Sequence, residues 1–195
     1  AFESWYANCP GLKVVVPSNP YDLKGLLKAA IRDEDPVIVM ESEQMYGDKG
    51  EVPEEEYTIP IGVADIKRAG TDVTVVSFGK IIKVALQAAE ELAEEGISLE
   101  VIDLRTVRPI DYDTVIESVK KTNRLVCLEE AWPLGSIATE ITYMVQKRAF
   151  DYLDAPVIRL TTADTPAAYA PTLMEAFLPN KAQLIQAVKQ VMYRG

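Results

Sequence analysis

Residues 97–132 constrain the fold more tightly than any other stretch of the chain. They begin Ile-Ser-Leu-Glu-Val-Ile-Asp-Leu, pass through Arg-Thr-Val-Arg-Pro, and reach a second apolar run, Leu-Val-Cys-Leu, closed by Glu129 and Glu130. Leu99–Leu104 and Leu125–Leu128 have strand length and composition, and suit strands covered on both faces. Between them Pro109 marks a turn, and residues 111–122 carry helical spacing with Asp111 or Asp113 as the N-cap. Strand, helix, strand in this order is one unit of a parallel α/β sheet.

The same rhythm extends to both sides. Val73–Ser77 reads as a strand, and Lys80–Glu95 as a helix with Ile81, Val84, Ala85, Ala88, Leu92 and Ala93 on its buried stripe. Gly96 suits the left-handed residue that ends such a helix. Further on come a helix over 136–150, a strand over 157–160 and a final helix over 180–193. Near the start, Leu12–Val16, Tyr21–Asp33 and Val37–Met40 read as strand, helix and strand, after a helix tail in residues 1–8. Residues 42–69 are rich in Glu, Gly and Pro without a sustained period, and read as a linker with one short strand near Tyr57–Ile61. The expected fold class is therefore α/β: three layers about a mostly parallel sheet.

Charge and composition exclude several functions. Thirty acidic against twenty basic residues give a net charge of −10, which argues against nucleic acid and against anionic membranes as partners. No apolar run reaches the ~18 residues of a membrane span. Two distant cysteines, Cys9 and Cys127, argue against a disulfide framework and for a reducing compartment. The absence of histidine removes the commonest acid/base group and metal ligand. The first residue is Ala, which fits a processed product or an excised piece.

Each motif carries a plain structural reading beside a functional one. Ser77-Phe78-Gly79-Lys80 joins a strand to a helix start and could cradle phosphate, but a single Gly more often serves a tight turn. Glu129 and Glu130 close a strand at the edge where parallel sheets place ligands, yet neighbours on a strand point to opposite faces. Arg105 and Arg108 could grip a carboxylate or phosphate, or pair with Asp103, Glu129 or Glu130, which is the simpler reading. The helix end at Ala30-Ile31-Arg32-Asp33-Glu34-Asp35 offers carbonyl and carboxylate oxygens suited to a hard cation, or only a charged terminus.

Six segments together resemble a known family. They are Cys9-Pro10-Gly11-Leu12-Lys13-Val14-Val15, Ala30-Ile31-Arg32-Asp33, Glu43-Gln44-Met45-Tyr46-Gly47, residues 101–109, Glu129-Glu130-Ala131-Trp132-Pro133, and Asp151-Tyr152-Leu153-Asp154-Ala155-Pro156. The chain resembles the beta subunits of the thiamine diphosphate-dependent 2-oxo acid dehydrogenases, most closely those acting on pyruvate. The resemblance implies that residues 1–60 are the end of a pyrimidine-binding domain with its linker, and that residues 70–195 form a transketolase C-terminal domain.

The resemblance also implies a division of labour. The family's catalytic His-Ser-Gln motif and its pyrimidine-contacting glutamate lie before the position of Ala1. Thiamine diphosphate and magnesium are held largely by the alpha subunit. No catalytic or cofactor-binding residue is therefore assigned to this chain. A structural potassium ion is implied at Ala30, Ile31, Asp33 and Asp35, where some relatives carry Asn at the last position. One further ligand of that ion would lie upstream.

Asp154 is implied in docking the subunit-binding domain of the dihydrolipoyl acyltransferase. An alpha subunit and a second beta subunit are the other implied partners, and net acidity suits a basic docking module. The compartment implied is the cytoplasm in a bacterium and the mitochondrial matrix in a eukaryote. A beta subunit acting on branched-chain 2-oxo acids or acetoin, or a stand-alone interaction domain, are the alternative readings.

Overall fold

The computed structural model describes residues 2–194. In chain order its first part holds α1 (Glu3–Ala7), β1 (Lys13–Val15), α2 (Pro20–Arg32) and β2 (Val37–Val39). Then follow β3 (Asp65–Arg68), β4 (Val73–Ser77), α3 (Ile82–Glu94), β5 (Leu99–Asp103) and β6 (Thr106–Arg108). The last part holds α4 (Tyr112–Thr122), β7 (Leu125–Leu128), α5 (Ile137–Ala149), β8 (Ile158–Leu160), α6 (Pro171–Phe177) and α7 (Lys181–Val191).

The main sheet has the order β3-β5-β4-β7-β8, parallel throughout except for the antiparallel edge strand β3. Alternation along its central strands builds two cores. Val73 and Val75 of β4, with Leu99 and Val101 of β5, face α3 and α7. Val76 and Ile102 face the other way, toward Val115 and Val119 of α4 and Ile141 and Val145 of α5. The result is the expected three-layer arrangement.

Local chemistry explains the helix ends. Asn19 accepts the Asp22 N–H at 2.8 Å at the start of α2, with Pro20 as its first residue. Asp111, one of the two caps considered, accepts the Thr114 N–H at 3.0 Å, and Asn123 closes α4 at φ 60°. Gly96 follows α3 at φ 75°, as its position suggested.

A second, three-stranded sheet has the order β2-β1-β6. β1 and β2 are parallel, whereas β6 runs antiparallel to β1 and pairs Val14 with Arg108 and Val15 with Thr106. The segment after Leu99 thus serves both sheets: β5 ends in the main one, and after two intervening residues β6 begins in the other. Arg105 turns that corner in a left-handed conformation, φ 55°, and its carbonyl accepts the Val16 N–H at 2.7 Å. The two halves of the chain on either side of residues 60–70 therefore share a strand.

One expectation is corrected, and two elements are added. Tyr57–Ile61 is not a strand; the Ile59 N–H donates to the Gly25 carbonyl at 3.1 Å, and Tyr57 stacks on Tyr21 with ring centroids 4.7 Å apart. The strand of that region is β3, in residues 65–68. Strand β6 and helix α6 were not anticipated at all.

Candidate functional site

The end of α2 carries the residues proposed for a cation. Asp33 caps the helix and its N–H donates to the Ala30 carbonyl at 3.3 Å, while the Ile31 side chain is exposed. Both carboxylates are already engaged. Lys13 Nζ lies 2.7 Å from Asp33 Oδ1 and 3.0 Å from Asp35 Oδ2. Hydrogen bonds from Lys13 and then from the Asp35 N–H hold the Asp33 carboxyl below its ordinary range, and the same contacts raise Lys13. Lys13 thus engages both Asp33 oxygens and Asp35 Oδ2, which leaves Asp35 Oδ1 and the backbone carbonyls outside the ion pair.

Asp154 sits where the loop after α5 meets α4 and α7. Its N–H donates to the Asn123 carbonyl at 2.9 Å, and its carbonyl accepts the Tyr193 hydroxyl at 3.2 Å. The carboxylate is half exposed and pairs with Arg124 at 3.1 Å. The backbone is thus pinned while the charge faces outward.

At the end of β7 the two adjacent acids diverge. Glu129 is buried against the start of α5, where Oε1 accepts the Ala138 N–H at 3.2 Å. Burial raises its pKa, opposed by Ser136 and the Ala138 N–H. Glu130 turns to Lys80 at 3.0 Å. The Gly79 turn also serves packing, because a Cβ there would lie 3.1 Å from Val16 Cγ1.

A partly buried polar cluster was not foreseen. It lies at the joint between the two sheets and combines Ser18, Asp22, Asp65, Lys67, Asp103 and Arg105. Lys67 Nζ is 2.7 Å from both Asp22 Oδ2 and Asp65 Oδ2, and 3.8 Å from Asp103 Oδ2. Arg105 reaches Asp22 and Asp65, each at 3.3 Å. The ion-pair reading of Arg105 was sound in kind, but its partners lie on α2 and β3. Arg108 instead donates to the Ala7 carbonyl at 3.1 Å.

The family described as transketolase, C-terminal domain, matches residues 62–184. The chain belongs to this family. Residues 1–49 match the transketolase pyrimidine-binding domain. The chain is 52% identical over 194 residues to the pyruvate dehydrogenase E1 component subunit beta of Rhizobium meliloti, covering 99% of this chain and 42% of that protein. It is 49% identical to an acetoin:2,6-dichlorophenolindophenol oxidoreductase subunit beta of Bacillus subtilis, covering 96% of this chain and 55% of the relative. The mitochondrial pyruvate dehydrogenase E1 beta subunit of Dictyostelium discoideum is 47% identical, over 100% of this chain and 56% of the relative. The chain spans about half the length of the curated relatives it matches.

A solved structure titled split gene transketolase, inactive beta4 tetramer, superposes with a TM-score of 0.80 over 98% of this chain and 60% of its own, at 23% identity. It shares the fold of this transketolase-family chain. Among the described residues no helix is long and apolar enough to cross a membrane, and no group of three or more His, Cys, Asp or Glu could hold a metal ion.

Proposed function

We propose that the chain is the later part of the beta subunit of a thiamine diphosphate-dependent 2-oxo acid dehydrogenase acting on pyruvate. The observation that carries this reading is identity near one half, sustained over essentially the whole chain, to pyruvate dehydrogenase beta subunits. The acetoin relatives are nearly as similar, which makes acetoin the second substrate to test. When bound, thiamine diphosphate supplies the carbanion chemistry of decarboxylation. In this reading the magnesium ligands and the reacting groups lie on other parts of the enzyme, and no chemical step is assigned to these residues.

The role proposed for this part is assembly with an alpha subunit and a second beta subunit, and docking to the acyltransferase core. An open groove of about 1080 Å³ between α1, the β6–α4 turn and residues 134–140 supports the assembly role. Trp5 and Leu134 line it 67% and 92% exposed, two large apolar side chains that a partner surface would cover. Potassium at Ala30, Ile31, Asp33 and Asp35 belongs to the same reading. The compartment follows the source: cytoplasm in a bacterium, mitochondrial matrix in a eukaryote.

Calorimetric titration of the chain with the acyltransferase's subunit-binding domain tests the docking role, with Asp154→Ala as the control. Heat of binding that weakens in the variant is expected. A folded chain that binds no module, or binds it equally well as the variant, contradicts the docking assignment. The chain alone, given cofactor and pyruvate, is expected to show no decarboxylation, and measurable turnover overturns the division of labour.

A further inference from the structure

The joint between the two sheets holds three carboxylates against two cations. Asp22 comes from α2, Asp65 and Lys67 from β3, Asp103 from the end of β5, and Arg105 from the corner that follows it. Asp22 and Asp103 are almost fully buried, and Lys67 and Arg105 nearly so. Lys67 and Arg105 each bind Asp22 and Asp65 closely, which leaves Asp103 as the unmatched charge. Among the described residues its one cation contact is Lys67, at 3.8 Å. Its close contacts are neutral donors: the Ser18 hydroxyl at 2.5 Å to Oδ2 and the Arg105 N–H at 3.0 Å to Oδ1.

These donors belong to the two sides of the joint. Ser18 lies in the loop between β1 and α2, and is tied through Asn19 Nδ2, 3.3 Å from its oxygen, to the cap of α2. Arg105 is the corner between β5 and β6, and its carbonyl receives the Val16 N–H. Asp103 therefore fastens the β1 side to the β5 side through one buried carboxyl.

We propose that Asp103, set among Ser18, Asp22, Lys67 and Arg105, makes this joint a proton-dependent clamp that holds the two sheets more tightly when its carboxyl is protonated than when it is ionised. A protonated carboxyl matches the cluster's two cations with two anions, and still bonds Ser18, whose oxygen can accept as well as donate. An ionised one adds a buried, poorly compensated charge. Burial is the largest cause acting on Asp103 and pushes its pKa from 3.8 to about 6, against the Ser18 bond, Lys67 and the Arg105 N–H, with Asp22 adding to the rise. The sign follows: an acid raised on folding gives stability that is complete below 3.8 and is lost as pH climbs through about 6. Near neutrality the joint is the looser state.

Amide hydrogen exchange of Val16 and Arg105, each corrected for its intrinsic rate, tests this on the intact chain. Protection of both is expected to fall about tenfold between about pH 5 and pH 7.5, the linkage for one carboxyl moving between these two pKa values. Asp103→Asn is expected to abolish the change. Equal pH dependence in the folded Asn variant, or none in the parent, overturns the proposal. If Asp103→Asn fails to fold, Ser18→Ala decides. Loss of its hydrogen bond should move the midpoint of the protection change to higher pH, and an unmoved midpoint refutes the clamp.

Discussion

The ammonium of Lys13 lies 2.7 Å from Asp33 Oδ1 and 2.8 Å from Asp33 Oδ2, joining the first residue of β1 to the C-cap of α2. The Lys13 N–H meanwhile donates to the Pro36 carbonyl at 3.0 Å, just before β2. One residue thus fastens both ends of the α2–β2 connection, and it does so with the carboxylates that a sequence reading offers to a metal.

Lys13→Met is expected to flatten the acid limb of the stability curve. Asp33 is held below its ordinary 3.8, so its contribution is present above that pH and is lost as pH falls through the lower folded value. Without Lys13 that contribution largely disappears. Thermal midpoints of parent and variant should differ near neutrality and converge as pH is lowered below about 4. A constant gap at every pH would show that the pair acts through packing of the lysine stem instead.

Two glycines separate backbone crowding from side-chain crowding. A Cβ on Gly70 would collide with the backbone of Leu99 and Glu100, at the edge of β5. A Cβ on Gly25 would meet Ile59 Cγ1 at 2.6 Å and Tyr57 Cε2 at 2.9 Å, which are side-chain atoms of a segment lying over α2. Gly70→Ala should cost about 3 kcal/mol or more, because the sheet cannot yield. Gly25→Ala should cost less, since the covering segment can shift and alanine favours the helix by about 1 kcal/mol. Denaturant unfolding gives both values, and the reverse order would contradict the packing described.

The two thiols should differ sharply. Cys9 is exposed, whereas Cys127 is buried in β7, where burial pushes its pKa well up. Thiolate is the reactive form, so a thiol reagent should modify Cys9 quickly and Cys127 only on unfolding. Rapid labelling of both under folding conditions would place β7 at an accessible edge instead of beside β4 and β8.

What the sequence made legible follows from burial. Strands β4, β5 and β7 are covered on both faces, so their apolar runs announce them. Strand β3 is Asp-Ile-Lys-Arg at a sheet edge, and its polar residues hide it from any pattern of hydrophobicity. Strand β6 is separated from β5 by two residues and pairs with β1, an association that no local period signals. Helix α6 has seven residues and buries none of them. The alternation of Tyr57-Thr58-Ile59 mimics a strand, but Tyr57 and Ile59 fill the notch left by Gly25.

The candidate sites divide in the same way. The α2 end and Asp154 could be located because short motifs mark them. The joint cluster could not, because Asp22, Lys67 and Asp103 come together only when two sheets meet, and single charged residues in sequence look like solvated surface.

A chimera gives the most direct test of the proposed role. In the Rhizobium meliloti pyruvate dehydrogenase beta subunit, the stretch matching this chain is replaced by it, and the product is co-expressed with that enzyme's alpha subunit. The account predicts a stable complex that decarboxylates pyruvate in the presence of thiamine diphosphate and magnesium. A folded chimera that fails to assemble with the alpha subunit, or assembles without turnover, would contradict it.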